Sequence, residues 1–546
     1  MATTKVFDGS MDEDVALGNM GYQQEFKRSF SLLDMVGFSF SIVTCWTALS
    51  GVFIIGIQAG GPPVMIFGWI GVCVFTMLIA LAMAEMCSRW PVAGGQYSWV
   101  AMLAPPRVSR QLSYITGWFM LTGSYLSKVG AYLLMIWLGL LAMGAVNNSF
   151  GSNYILGQVN LVFPEFIIER WHTVLVAWAV GLFALAINVF APHALHRLSR
   201  FILMWNIASF IVVIITLLVT NHPKQDKDFV FHEFRNLTGF GASMATIVGI
   251  LQSFFGMCCY DAPSHMTEEM THASRDAPKA IILSVIIGAV TGLLFLLTLC
   301  FCMGDIEATA NSSTGVPVIQ IFYDSTQSKA GTCILASTIT VIIMMSSISL
   351  VAEGSRSVYA FARDHGLPFS GLWSRVEPKK KIPLYAICLT GVVQLSLNAI
   401  YFGTETGFAT VISIATMGFY VSYSLVLFAR LLGYFFYSQG SFDGPHSLPL
   451  PLSLCFSAIG LLFLLFASVT FNFPSDAPVT SESMNYTSAA IGLLTLLSLV
   501  TWFTTATKRF VGPSDVRHLV VDGAKTPTTL QPVDHVGLKT SESYSQ

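Results

Sequence analysis

Long runs of apolar residues, each long enough to cross a bilayer as a helix, dominate this chain of 546 residues. About 20 consecutive apolar residues suffice for a helix to span the hydrocarbon core. Hydrophobic residues make up 54% of the sequence and charged residues 11%, whereas about 25% of residues are charged in globular proteins. We therefore predict an all-α integral membrane protein. Twelve spans are predicted, at residues 33–58, 63–87, 112–143, 171–190, 200–220, 240–270, 280–303, 330–362, 383–402, 408–434, 448–472 and 486–507.

The positive charges are unevenly divided between the two sides of this topology. With a cytoplasmic N-terminus, the inner segments carry 21 of the 28 Lys and Arg residues and the outer loops carry five. Cytoplasmic loops are the ones normally enriched in Lys and Arg. We therefore expect a multi-pass protein of the plasma membrane with both termini in the cytoplasm. The polar segments at residues 1–30 and 510–546 are predicted to be disordered tails.

Four N-x-S/T triplets support this orientation. All four lie in loops that the topology places outside, and they begin at Asn147, Asn236, Asn311 and Asn485. Such triplets accept N-linked glycans on surface loops, although they also arise by chance and often stay unmodified. We interpret the four asparagines as candidate glycosylation sites of a glycoprotein.

Several classes of activity lack their sequence signatures in this chain. It has no GxxxxGK[ST] loop for ATP, no HExxH and no GxSxG motif. Most of its ten cysteines lie in apolar spans without metal-site spacing, so inert thiols are the simplest interpretation. We expect no catalytic residue, no cofactor, no metal and no nucleic-acid partner. A secondary transporter and a channel remain as alternatives, and an intramembrane enzyme would need a constellation that these motifs do not supply.

Two apolar spans are interrupted in a way that ordinary transmembrane helices avoid. The stretch "LQSFFGMCCYDAPSHMTEEM" at residues 251–270 places an acid, a proline and a histidine directly after an apolar run. Five spans earlier, residues 39–63 combine a high density of Ser and Thr with Gly51 and a Gly-Gly-Pro-Pro end. Unwound backbone is tolerated in a membrane only where it lines a protein cavity. Because secondary transporters are often inverted repeats with broken helices at corresponding positions, we predict that spans 1 and 6 are discontinuous.

Three motifs carry a resemblance to a known family. "AEMCSRWPVAGGQYSWVAMLAPP" at residues 84–106, "YDAPSHMTEEMTHASRDAPKAI" at residues 260–281 and "SRSVYAFARDHGLPFS" at residues 355–370 occur in order at matching spans. They resemble the fungal amino acid/choline/GABA permease branch of the amino acid, polyamine and organocation transporter superfamily. The resemblance runs from about residue 28 to 508.

This resemblance implies the family's architecture and mechanism. It implies a transporter domain at 31–509, with a first repeat at about 31–220, a second at about 239–434 and two extra helices at about 448–507. It also implies alternating access, a substrate held where spans 1 and 6 unwind, spans 3, 8 and 10 around it, and coupling to a proton or sodium gradient. One departure is notable. Where amino acid permeases usually have Gly-x-Gly in span 1, this chain has Trp46, Thr47 and Ala48.

The predicted substrate site consists of residues beside the two breaks. Half-helix ends offer N–H groups to a carboxylate and carbonyl groups to a cation, and aromatic faces suit a quaternary ammonium. The candidate substrate-binding residues are Thr44, Trp46, Thr47, Phe254, Phe255, Gly256 and Tyr260. Packing against lipid or core is the alternative role of each aromatic residue.

Charged residues inside the spans are the candidates for gating or coupling. Asp261 is interpreted as the N-cap of the second half of span 6, with Pro263 in its first turn, and as a gate. Lys128 lies within span 3. Placing a charged side chain inside the membrane costs free energy, so such a residue is by default a candidate for a functional role. We predict that it pairs with Glu353 of span 8, or shares a proton with it. The alternative is that Lys128 snorkels or pairs with a backbone carbonyl, without functional effect.

The remaining ionisable residues near span 6 are expected at the cytoplasmic mouth. Glu268 and Glu269 are predicted to pair with Arg275 or Lys279, and Arg356 with acidic groups at the same mouth. His265 is either a hydrogen-bonded structural residue or a proton carrier.

The function expected from these features is secondary active uptake of a small amine, such as choline, GABA or an amino acid, across the plasma membrane. The coupling ion is expected to be a proton, and lipid is the surrounding partner. An exporter or organelle transporter of a specialised amine is an alternative within the class, and a channel is the alternative outside it.

Overall fold

A computed structural model shows the chain as a bundle of apolar helices. It describes residues 17–18, 20–121, 140–403, 405–442, 444–480 and 484–510. Within these residues ten helical segments are long and apolar enough to cross a membrane, and one shorter apolar helix, Ala242–Gly256, accompanies them. The predicted class of helical, multi-pass membrane protein is confirmed at this level.

The elements are numbered in chain order. The helices are α1 (Leu32–Ile42), α2 (Cys45–Gln58), α3 (Gly61–Arg89), α4 (Gln96–Leu103), α5 (Pro106–Leu121), α6 (Leu140–Val162), α7 (Arg170–Phe190), α8 (Leu195–Thr220), α9 (Lys227–Phe231), α10 (Ala242–Gly256), α11 (Ala262–His265), α12 (Ala273–Cys302), α13 (Ile306–Ala310), α14 (Pro317–Thr326), α15 (Lys329–Arg363), α16 (Ser370–Trp373), α17 (Leu384–Asn398), α18 (Glu405–Tyr437), α19 (Leu450–Thr470), α20 (Thr487–Thr501) and α21 (Thr507–Arg509). Two short strands, β1 (Ala59–Gly60) and β2 (Arg235–Asn236), pair in antiparallel fashion.

The first apolar segment is broken near its middle, as predicted. Helix α1 ends at Ile42 and α2 begins at Cys45, so Val43 and Thr44 lie between them. The Thr47 hydroxyl donates to the Thr44 carbonyl at 3.0 Å, and the Ser50 hydroxyl donates to the Thr47 carbonyl at 2.5 Å. Such side-chain bonds give the backbone an alternative to the helical ladder, which explains why this serine- and threonine-rich stretch unwinds.

The second predicted break is also present. Helix α10 ends at Gly256 and the one-turn helix α11 starts at Ala262, which leaves five residues between them without helical structure. Cys259, in this stretch, has a φ of 61°, in the left-handed region that non-glycine residues rarely occupy. Pro263 lies in the first turn of α11, where a missing N–H leaves no hydrogen bond unmade.

The third predicted span ends too early. It was expected over residues 112–143, whereas α6 continues from Leu140 to Val162; α5 covers Pro106–Leu121. Residues 122–139 lie outside the described part of the chain. Helix α6 carries many polar residues ("NNSFGSN") and packs between α15, α7 and α17. A helix shielded from lipid by its neighbours does not need a uniformly apolar surface, so hydropathy alone misplaced this boundary.

The loops gather at two opposite ends of the bundle. At one end, which we call the tail end, the hydroxyls of Tyr22 and Tyr97 both donate to Asp364 at 2.9 Å. Phe361 there packs against both Tyr97 and Phe510, so the first and last described segments share this end. At the other end, the strand end, β1 pairs with β2, and the Ala477 N–H donates to the Thr238 carbonyl. These groupings match the alternation of loops predicted from the charges.

Candidate functional site

A small cavity lies where the two breaks meet at the centre of the bundle. Its volume is about 30 Å³, which is room for roughly two water molecules. Four of the predicted substrate-binding residues line it: Thr44, Thr47, Phe255 and Gly256. The facing wall comes from α6 and α15, through Met143, Asn147, Phe150, Ile343, Ser346 and Leu350. A ligand larger than water therefore requires these side chains to move.

An aromatic pair covers the cavity on its strand-end side. The rings of Phe150 and Phe255 meet edge to face with centroids 5.7 Å apart. Gly51, nearly two turns into α2, lets the Phe150 ring approach, because a Cβ at that position would lie 2.7 Å from it. We call Phe150 and Phe255 the aromatic lid. Sequence reasoning identified Phe255 and missed Phe150, although Met143, Asn147 and Phe150 have the spacing of one helix face.

Gly256 ends α10 at a point of close approach. A Cβ there would lie 2.9 Å from both Leu49 and Trp69, closer than real Cβ contacts occur. The glycine thus allows the two broken segments to touch at the level of the cavity.

Three predicted substrate-binding residues lie outside the cavity. The Trp46 indole donates to Asn206 at 2.7 Å and packs between Phe210 and Phe295. The other two, Phe254 and Tyr260, lie against α18: Phe254 packs on Tyr420, and Tyr260 on Tyr423. In this conformation these three aromatic residues support the breaks from behind.

Asp261 is the centre of a buried polar cluster just below the cavity. The Tyr423 hydroxyl donates to its Oδ1, and the Gln96 amide donates to its Oδ2. It occupies the N-cap position of α11, as predicted, but its side chain makes no capping bond. The predicted capping role is therefore wrong for the carboxylate, which instead ties span 6 to α18 and α4.

His265 lies between two oxygen atoms of its neighbours. Its Nδ1 lies 3.1 Å from the Ala93 carbonyl oxygen, and its Nε2 lies 3.0 Å from Oδ2 of Asp261. A neutral imidazole has one N–H and can donate to only one of these two oxygens. The histidine therefore links Asp261 to the loop that contains Ala93.

Glu353 completes a group of three ionisable side chains. It is fully buried, and neither carboxyl oxygen has a hydrogen-bond partner among the described residues. One carboxylate oxygen from each of Glu353 and Asp261 and one ring nitrogen of His265 lie within 4.8 Å of one another. Its predicted partner, Lys128, lies outside the described residues. Among the described residues, these three side chains form the group whose ligand atoms are close enough together to hold a metal ion. Asp261, however, already accepts hydrogen bonds from Tyr423 and Gln96 in addition to its contact with His265.

The tail end is closed by buried ion pairs. Arg363 donates to both oxygens of Glu268 at 3.0 and 2.9 Å, and Arg356 donates to Glu269 at 2.7 Å. The predicted pairing of the two glutamates with Arg275 or Lys279 is therefore wrong, whereas the prediction for Arg356 is confirmed. Sequence proximity suggested the wrong partners, since the correct ones lie on α15.

The segment before α1 lies across these ion pairs. The N–H groups of Ser29 and Phe30 donate to the Glu269 carbonyl at 2.9 and 3.1 Å, and Gln24 donates to the Glu268 carbonyl. The Arg363 guanidinium stacks 4.0 Å from the Tyr22 ring. We call residues 20–31 the strap.

Asp364 joins the strap to α4 and α15. Burial raises the pKa of Asp364 above its ordinary 3.8, while the Arg363 guanidinium and the hydroxyls of Tyr22 and Tyr97 act in the opposite direction. The pKa of this carboxyl therefore depends on the contacts that close the tail end.

One candidate glycosylation site lies in the cavity wall. Asn147 is in the middle of α6, and its amide nitrogen donates to Ile343 and Ser347 of α15. The expected loop position is therefore wrong, and a glycan cannot be attached there in this fold. Asn311 and Asn485 do lie in loops at the strand end, where Asn311 is exposed, and Asn236 lies there in the short strand β2.

Comparison with known proteins identifies the family. A model described as "Amino acid permease" matches residues 30–496. The chain belongs to the amino acid permease family. It is 54% identical, over 84% of its length and 97% of the relative's, to a Macrophomina phaseolina protein provisionally named an amino acid/polyamine transporter.

Two further relatives of this permease cover nearly its whole length. It is 31% identical to "Amino-acid permease BAT1 homolog" of Oryza sativa subsp. japonica, over 91% of this chain and 94% of that one. It is 30% identical to "Choline transporter" of Saccharomyces cerevisiae, over 92% and 85% of the two chains. The predicted resemblance is confirmed: the permease is a membrane transporter of amino acids or amines, and not an enzyme.

Proposed function

We propose that this permease is a secondary active transporter that takes up a small amine or amino acid by alternating access. The observation that carries the proposal is the cavity between the paired breaks, covered by the aromatic lid on one side and by ion pairs on the other. A site that can be closed on both sides is what alternating access needs.

The architecture proposed around this cavity has twelve spans in a five-plus-five inverted repeat with two extra helices. Helices α1 and α2 form span 1, α10 and α11 form span 6, and α5 with α6 supplies span 3. The tail end is proposed to face the cytoplasm and the membrane to be the plasma membrane, because the Lys and Arg residues concentrate in the loops of that end.

The proposed substrate contacts are the groups at the two breaks. The first N–H groups of α2 have no helical partner, and Thr44, Thr47, Phe255 and Gly256 line the cavity beside them. The carbonyls of Phe254 and Phe255 at the end of α10 already accept from the Tyr420 hydroxyl and the Cys258 thiol, so a cation would have to compete for them. Trp46, Phe254 and Tyr260 are proposed to contribute by holding the breaks in position.

The proposed coupling ion is a proton held by the cluster of Asp261, His265 and Glu353. Two buried carboxyl groups this close cannot both be ionised without a large penalty, and an added proton would let both ring nitrogens of His265 donate, one to Ala93 and one to Asp261. Lys128 remains the proposed partner of Glu353. Either a bound proton or the lysine ammonium group would neutralise the carboxyl. Release of the proton on one side of the membrane would leave the carboxyl charged, and this change in charge would drive the change between the outward-open and inward-open states.

Uptake into proteoliposomes tests the function. Purified protein is given labelled choline, GABA or amino acids with an imposed proton or sodium gradient. We expect saturable accumulation driven by a proton gradient directed inward. Glu353→Gln and Lys128→Ala should retain exchange of labelled for unlabelled substrate but lose accumulation. The matched control is Asp324→Asn, a partly buried carboxyl of α14 that lies at the strand end.

Three outcomes would contradict the proposal. Accumulation of no tested compound would remove the substrate class, and unsaturable flux through the pore would favour a channel. Accumulation that is equal with and without a proton gradient would remove proton coupling.

A further inference from the structure

The side chain of Asn147 has one polar atom left for a ligand. Its Nδ2 donates to the Ile343 carbonyl at 2.9 Å and to the Ser347 hydroxyl at 2.8 Å. The carbonyl can only accept, and the Ser347 hydroxyl gives its own hydrogen to Ile343 at 3.2 Å, so it accepts from Asn147 as well. Both amide hydrogens are thereby used, and the orientation of the amide is fixed.

The carbonyl oxygen of Asn147, Oδ1, has no hydrogen-bond partner in the described part of the chain, and the residue lines the cavity. Two other oxygens are in the same situation, the hydroxyls of Thr44 and Ser346. None of the described side chains that line the cavity is charged. The polar side-chain groups offered to a ligand are therefore neutral. The two hydroxyls can donate or accept, whereas Oδ1 of Asn147 can only accept and has a fixed direction.

We propose that Asn147 is a specificity-determining residue that accepts an N–H bond from the ammonium group of the substrate. The ligand class is an amine with at least one N–H on its charged nitrogen, such as an ω-amino acid or a primary alkylamine, in preference to a trimethylammonium compound. This inference rests on the proposed transport function.

The physical reason for the preference is the hydrogen bond to Oδ1 of Asn147 that a trimethylammonium ligand cannot make. A trimethylammonium group has no hydrogen to donate, and it would displace water from Oδ1 without replacing the hydrogen bond. A buried polar group left unpaired in this way disfavours the ligand that causes it. The aromatic lid does not compensate, because its two phenylalanines face each other edge to face and do not present a set of ring faces to a cation.

Binding of two matched ligand pairs tests the proposal directly. Each pair differs only in methylation of the nitrogen: 4-aminobutyrate against its trimethylammonium analogue, and ethanolamine against choline. Affinity is measured on purified protein by the ligand-dependent rise in melting temperature and by protection of Cys258, which lines the cavity, from a thiol reagent. We expect the N–H ligand of each pair to bind about tenfold more tightly or better.

Variants of Asn147 show whether this residue causes the preference. Asn147→Leu should reduce the difference within each pair to less than about threefold, and Asn147→Asp, which keeps an acceptor, should retain it. The matched control is Asn160→Leu, because Asn160 lies on the same helix and donates to Phe166 away from the cavity. The ligand preference of this variant should equal that of the unmodified protein. The melting temperature without ligand shows that each variant is folded.

Three results would overturn the inference: equal or tighter binding of the trimethylammonium ligands by the unmodified protein, an unchanged preference in Asn147→Leu, or binding of none of the four compounds. Binding without gradient-driven accumulation would instead contradict the proposed transport function and leave the role of Asn147 supported.

Discussion

The two ends of the bundle close the central cavity by different physical means. At the tail end, two buried ion pairs, the strap and the carboxyl of Asp364 lie between the cavity and the solvent. At the strand end, the closure next to the cavity is the pair of rings of Phe150 and Phe255. The closure at the tail end consists of charged groups that need their partners, whereas the closure at the strand end consists of aromatic contacts that can separate without leaving a charge unpaired.

This difference predicts unequal sensitivity to substitution. An aromatic contact contributes about 0.5–1.5 kcal/mol beyond the area it buries. Removing one partner of a buried ion pair costs about 3–5 kcal/mol, because the remaining charge stays buried without compensation. Removing one partner of a tail-end ion pair should therefore shift the balance between open and closed states more than removing an aromatic contact at the strand end.

Arg363→Ala should have the largest effect. It leaves Glu268, whose side chain is 1% exposed, without its bidentate partner, and the closed tail end should lose about 3–5 kcal/mol. We expect a lower melting temperature and faster reaction of Cys258 with an impermeant thiol reagent applied at the tail end.

Two further variants check the cause of this effect. The double variant Glu268→Ala with Arg363→Ala should recover part of the lost stability, since no unpaired charge remains. Arg235→Ala is the control at the strand end, where Arg235 pairs with Glu233 and both are about half exposed, so its effect should stay below about 1 kcal/mol. Equal effects of Arg363→Ala and Arg235→Ala would mean that the tail-end ion pairs do not hold the gate.

Much of this contrast was visible in the sequence, but the pairing was not. The breaks could be predicted because Ser, Thr and Gly weaken a helix locally, and the motif around Asp261 and Glu268 marked the tail end. The partners of Glu268 and Glu269 could not be predicted. Lys279 is nearby in the chain and Arg363 lies on α15, and only the packing of the helices decides between them.

Individual residues of the candidate site were predicted only on the side formed by the breaks. Thr44, Thr47, Phe255 and Gly256 follow from local patterns. For the facing wall the resemblance implied only that spans 3 and 8 contribute, and Asn147 and Phe150 were assigned to an outer loop, because the polar residues of α6 lower its hydropathy. An interior helix can be polar exactly where it matters for binding, so hydropathy is least informative at the position of a transport site.

Gly51→Ala tests the strand end with a smaller expected effect. The added Cβ would lie 2.7 Å from the Phe150 ring, and such overpacking costs typically about 1–3 kcal/mol. We expect the lid to be displaced and Cys258 to react faster with reagent applied at the strand end, with little change at the tail end. Phe150→Ala combined with Gly51→Ala should add little to the effect of Gly51→Ala. An additive effect would show that the glycine does not act through the lid.

Tyr22→Phe should have the smallest effect, because it removes one hydrogen bond to Asp364 while the bond from Tyr97 remains. We expect the closed tail end to be destabilised by about 0.5–1.5 kcal/mol at neutral pH. The measurement is the rate of Cys258 labelling, which should rise modestly.

The pH dependence of that labelling separates the carboxyl from the strap. Asp364 has a raised pKa when buried, and opening would return the pKa to its ordinary value. The closed state then binds the proton more tightly, so closure is strengthened as pH falls through the raised pKa and gains nothing further below the ordinary value of 3.8. The Tyr22 hydroxyl lowers the pKa of Asp364, so in Tyr22→Phe the fall in labelling should begin at a higher pH than in the unmodified protein, whereas Asp364→Asn should abolish this component. An identical pH profile in all three proteins would show that Asp364 does not titrate with opening and that the strap holds the tail end without it.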